Sequence, residues 1–85
     1  MHRSAMLVNR AAYLQSQYPT GTVCYWWKRR EDVGGGEVAG EVGVISSWGT
    51  SIDGQQLGAW IKNIGFVPFE CVKVSLSLTK EMNRA

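Results

Sequence analysis

The chain has 85 residues, enough for one domain and too few for two. Hydrophobic residues make up 45% and charged residues 19%, which excludes a disordered tail and suggests apolar surface covered by a partner or another copy. A net charge of +2 excludes a uniformly basic nucleic-acid binder, so any basic patch is local.

Residues 1–20 read as an N-terminal helix and linker, 21–79 as a β-domain and 80–85 as a polar tail. Met1 to Arg10 lacks the apolar core of a signal peptide, and no apolar run reaches membrane-spanning length. The expectation is a cytoplasmic protein with no membrane partner. Cys24 and Cys71 are then reduced core thiols, with a disulfide between them as the alternative.

Ser4 to Gln17 is patterned as a helix. Ser4 caps its start, Leu7, Ala11 and Leu14 share one face, and Arg10 and Gln15 face water. Tyr18-Pro19-Thr20-Gly21 ends it. Thr22 to Lys28 follows as a strand, with Val23, Tyr25 and Trp27 on one face and Cys24, Trp26 and Lys28 on the other. Each face carries a large aromatic, so one of Trp26 and Trp27 points away from the main core.

A glycine-ended loop from Arg29 to Gly36 leads to a second strand region, Glu37 to Ser47, where Gly40 and Gly43 suggest a bulge or sharp bend. Trp48 to Gly54 is rich in turn residues, and Asp53-Gly54 is a hairpin signal. Gln55 to Lys62 reads as the third strand, with Leu57, Ala59 and Ile61 opposing Gly58, Trp60 and Lys62. Phe66-Val67 is a short fourth strand, and Pro68 to Cys71 is a single helical turn. Val72 to Thr79 alternates, with Val72, Val74, Leu76 and Leu78 inward, and reads as the fifth strand. Five short strands without strand–helix alternation predict a mainly β fold, a small barrel carrying one N-terminal helix.

The functional signals are uneven. The one histidine, His2, sits near the terminus, and no serine or cysteine has a base partner. No metal-ligand spacing is present, and no cofactor is implied. Gly34-Gly35-Gly36 lacks the lysine and hydroxyl of a phosphate-binding loop and reads as a hairpin tip. The set Trp26, Trp27, Lys28, Arg29 and Arg30, with Trp60 and Lys62 on another strand, places stacking faces beside cations. Single-stranded nucleic acid or an extended peptide needs that combination. The plain alternative is that all four tryptophans are core and the Lys-Arg-Arg run is solvated.

Trp60 and Gly65-Phe66-Val67-Pro68-Phe69-Glu70-Cys71-Val72 resemble the closing signature of Src-homology-3 domains. Cys71 stands at the tyrosine position, so the resemblance implies the barrel and not the binding of proline-rich peptides. Gly21 to Arg30, Gly40 to Trp48 and Val67 to Val72 are together similar to the small C-terminal DNA-binding barrel of retroelement integrases. Gly40-Glu41-Val42-Gly43 replaces the usual tryptophan-led entry to the second strand. That resemblance implies DNA contact through Lys28, Arg29 and Arg30.

The resulting expectation is a non-enzymatic module binding DNA or RNA. The alternatives are protein interaction or self-association through Leu76 and Leu78 on the edge of a long last strand, and an enzyme whose pocket forms between subunits.

Overall fold

A computed structural model describes residues 3–29 and 39–83. Arg30, Gly34 to Gly36 and the loop carboxylates Glu31, Asp32 and Glu37 lie outside them. Helix α1 (Arg3–Gln17) leads into five strands: β1 (Val23–Trp26), β2 (Glu41–Thr50), β3 (Leu57–Ile61), β4 (Gly65–Pro68) and β5 (Val72–Val74). A single 3-10 turn, Phe69–Cys71, joins β4 to β5, and helix α2 (Leu76–Met82) follows β5. The strands form one antiparallel sheet in the order β4-β3-β2-β1-β5, and it is open, with β4 and β5 at its two edges.

Strand β2 serves two partners in succession. Its first residues pair with β1, with Val23 opposite Val44 and Trp26 opposite Glu41; from Ile45 onward it pairs with β3. The register shifts between Ile45 and Ser47, so the bulge lies there and not at Gly40 or Gly43. Gly43 has a different reason to be glycine: a Cβ on it would lie 2.7 Å from Ile61 Cγ2 and 2.9 Å from Trp26 Cδ1. Ile45 sits at the corner, fully buried, its N–H donating to the Thr22 carbonyl and its own carbonyl accepting from Gly21 N–H.

The core lines one side of this bent sheet. Ala11, Cys24, Trp26, Ile45, Trp48, Ala59, Ile61, Val67 and Cys71 form one buried cluster, against which Leu14, Tyr18, Trp27, Leu57, Val72 and Val74 pack. Helix α1 closes it with the expected face, Leu7, Ala11 and Leu14 turned inward. Gln15 is a correction to the water-facing assignment. Its Oε1 accepts the Trp48 backbone N–H at 3.0 Å, while Trp48 Nε1 donates to the Tyr18 carbonyl at 2.9 Å. Both cysteines are buried and no disulfide joins them, so that alternative falls.

The last element differs from the sequence expectation. Strand pairing with β1 stops at Val74, and Leu76 and Leu78 lie on α2, not on a strand edge. Ser75 explains the change: its Oγ accepts from Leu78 N–H, the capping bond that starts a helix. Apolar Val74, Leu78 and Met82 also recur at helical spacing, a period hidden beneath the alternation. The helix is tied back by Thr79, whose Oγ1 accepts from Val23 N–H at 2.8 Å. Leu76 is 60% exposed and Leu78 half-buried. Trp48 to Thr50, read as turn, instead completes β2.

Gly58 is the glycine the fold can least replace. A Cβ there would collide with the Val67 carbonyl oxygen and lie 2.7 Å from Phe66 Cζ. Overpacking against backbone cannot relax by rotamer change, so Gly58→Ala is expected to cost about 3 kcal/mol in urea unfolding. Leu76→Lys, on the exposed face of α2, is expected to stay within about 0.5 kcal/mol of the unsubstituted protein.

Candidate nucleic-acid interface

The residues just after β1 decide which aromatic is core. Trp26 belongs to the buried cluster at 8% exposure, whereas Trp27 is half-buried. Along β1, Cys24 and Trp26 belong to the core cluster; on the opposite side Val23 is buried and Tyr25 exposed, and Trp27, just past the strand, packs partly against the core. Most of the Trp26 ring is packed away from solvent, and what remains borders the cleft. Its Nε1–H finds no acceptor among the described residues, so packing against Gly43 and Ile61 holds the ring rather than a hydrogen bond.

Trp26, Trp27, Lys28 and Arg29 form one wall of a cleft of about 400 Å³ whose other wall is Asn63, Ile64, Phe66, Val67 and Pro68. Trp27 is held by its backbone, its N–H donating to the Cys71 carbonyl at 3.1 Å. Asn63 takes the left-handed conformation (φ 66°) that lets β3 turn into β4, and this brings Ile64 to the cleft. Lys28 is exposed.

Arg29 is engaged. Its Nη2 donates to Gln56 Oε1 at 2.7 Å and to Glu70 Oε1 at 2.5 Å, tying the loop after β1 to the start of β3 and to the 3-10 turn. At this exposure the ion pair with Glu70 contributes at most about 1 kcal/mol. A phosphate can compete for the guanidinium at modest cost.

Trp60 does not join Trp26 and Trp27 in a single patch. It lies on the outward side of β3, cross-strand from Phe66, with ring centroids 5.4 Å apart in an edge-on arrangement. Phe66 also lines the cleft, so one ring connects the two places. Lys62 is exposed and lines neither. Arg30 falls outside the described residues. The structure thus brings together Trp26, Trp27, Lys28, Arg29 and, through Phe66, Trp60, with Trp26 mostly buried, and it leaves Lys62 apart. Phe66, Pro68 and Asn63 are additions, foreshadowed only by Phe66 facing the same side as Trp60 once β3 and β4 are paired.

Among the described residues, no three His, Cys, Asp or Glu side chains gather as a metal site requires, and no helix is long and apolar enough to cross a membrane. Burial pushes the Cys24 thiol up to about 11, which disqualifies it as a nucleophile near neutral pH. No known protein family matches this chain, nor does any curated protein or solved structure.

The Cys24 shift has a measurable consequence. The unfolded thiol ionises near 9 and the folded one near 11, so the unfolded state loses its proton first and stability falls as pH rises from about 9 towards 11. Chemical denaturation across that window should show the decline, and Cys24→Ala should flatten it. Both thiols should resist a disulfide reagent until the protein is unfolded.

Proposed function

We propose that this protein is a small, non-enzymatic nucleic-acid-binding module of Src-homology-3-like barrel type, with the Trp27–Lys28–Arg29 cleft as its contact surface. The observation that carries the reading is the cleft itself: three aromatic residues, the mostly buried Trp26 together with Trp27 and Phe66, line one opening with an ammonium and a guanidinium on its wall. Stacking surfaces beside cations suit a base and its phosphate, and phosphate contacts give affinity with little sequence preference. The strand order, the long bent β2 shared by two ladders and the 3-10 turn before β5 support the barrel assignment. The similarity of Gly21 to Arg30 to the integrase barrel supports DNA as the ligand.

Fluorescence titration with DNA at two salt concentrations tests this. Binding should weaken steeply with salt, and Lys28→Gln should weaken it for every sequence and lower the slope of log K against log salt by about 0.7–0.9, one phosphate contact. Glu70→Gln should strengthen binding, because it removes the carboxylate that competes for Arg29. Undiminished binding by Lys28→Gln, or by a Trp27→Ala variant that remains folded, would place the contact elsewhere.

A second reading, self-association, has its own observation. A groove of about 370 Å³ runs between α1 and the edge strand β5, lined by Tyr13, Leu14, Trp48, Phe69, Val72 and Val74. Tyr13 and Phe69 are 64% and 47% exposed. A mass that rises with concentration and reverts to monomer in Tyr13→Arg would favour that reading.

A further inference from the structure

The outward face of the β3–β4 pair carries a second hollow, of about 530 Å³, lined by Ser51, Ile52, Asp53, Gln56, Trp60 and Phe66. We infer that this hollow is a base subsite, taking an unpaired nucleobase of the same strand whose phosphate lies at Lys28 and Arg29, so that the ligand is single-stranded rather than duplex. The inference rests on the nucleic-acid reading above and deepens it.

The floor is held open, with Phe66 edge-on to the Trp60 ring. Trp60 Nε1 donates to the Thr50 carbonyl at 3.2 Å, which uses the indole's one donor and fixes the ring. Its cross-strand partners are Ser47 and Phe66, and two glycines lie close by. Gly58 sits under Phe66, and a Cβ on Gly49 would lie 3.4 Å from Trp60 Nε1. Each ring therefore has a glycine beside it, which leaves π-surface open between the rings and the rim formed by Ser51, Ile52, Asp53 and Gln56. A planar heterocycle gains about 1–3 kcal/mol per stacked base on such a floor.

The charge layout separates base from phosphate. Lys28 and Arg29 lie on the cleft side of Phe66, whereas the hollow holds Asp53. Hydrogen bonds from Ser51 Oγ and Gln55 N–H hold the Asp53 carboxyl below the ordinary range, so it is ionised at neutral pH and repels phosphate. Gln56 joins the two places: its Oε1 accepts from Arg29 while the residue lines the hollow, and its amide N–H groups can donate to a base edge. A duplex keeps its bases stacked on each other and has none to spare for this floor. A single strand can splay one base across Phe66 onto Trp60.

The test uses the full chain labelled with ¹⁵N, titrated with an oligothymidylate of about eight nucleotides and with a duplex of similar length. The inference expects the Trp60 indole and Gln56 side-chain resonances to move with the single strand and not with the duplex, and the Trp48 indole to stay. Trp60→Leu should lower single-strand affinity roughly five- to a hundredfold while leaving the salt slope unchanged. If Trp60→Leu does not fold, the indole shifts decide alone. Movement at Trp27 and Lys28 with none at Trp60, or tighter binding of the duplex, overturns the subsite and leaves the nucleic-acid reading standing. No movement with either DNA overturns both. Trp60 shifts that follow protein concentration without DNA assign the hollow to contact between copies and overturn the inference.

Discussion

The fold depends on one backbone event, the change of partner by β2 at Ile45. Strand β2 can bury Ile45 and Trp48, three residues apart, in one core only by bending out of strict alternation, and the bulge between Ile45 and Ser47 supplies the bend. The bend in turn strands backbone donors and acceptors, which other segments must meet. Gly21 and Thr22 satisfy Ile45, Lys62 N–H donates to the Val44 carbonyl, and the Gln15 side chain takes Trp48 N–H. These bonds set the angle between the β1–β5 ladder and the β3–β4 ladder. The cleft is the space left between the end of β1 and the turn before β4.

From this follows an order of causes for the site. The end of β1 buries Trp26 and leaves Trp27 half-buried against the core at the cleft. The bend brings the β3–β4 turn opposite Trp27, and Gly58 lets Phe66 lie close to β3 so that it faces both the cleft and the outer hollow. The positive side chains come last: Lys28 and Arg29 follow Trp27 directly, and Arg29 is held by partners from two other segments.

Most strands were legible because their cues were local. Thr22 to Lys28 and Gln55 to Lys62 alternate, Asp53-Gly54 and Asn63 mark turns, and Pro68 starts the 3-10 turn. Helix α2 was not legible from alternation, because Val72, Val74, Leu76 and Leu78 satisfy a strand period, while the deciding bond, from Leu78 N–H to Ser75 Oγ, is a single contact. The pairing of Arg29 with Glu70 joins residues 41 apart in the chain and depends on the bend, so sequence spacing carried no trace of it. The same holds for Trp60, whose neighbour Phe66 was visible as a strand residue but not as the ring linking two surfaces.

The bond from Trp48 N–H to Gln15 has a consequence for where this unit begins. Reading residues 1–20 as a helix and linker ahead of a separate β-domain treats α1 as an attachment. Yet Ala11 is core, and Gln15 and Tyr18 each accept one of the two N–H groups of Trp48. A chain starting at Gly21 would expose the apolar side of the bent sheet and leave both donors of a buried tryptophan without their acceptors. In evolutionary terms, helix and sheet travel as one piece: a rearrangement that joined this sheet to a different upstream sequence would have to bring a replacement for Gln15 along with it.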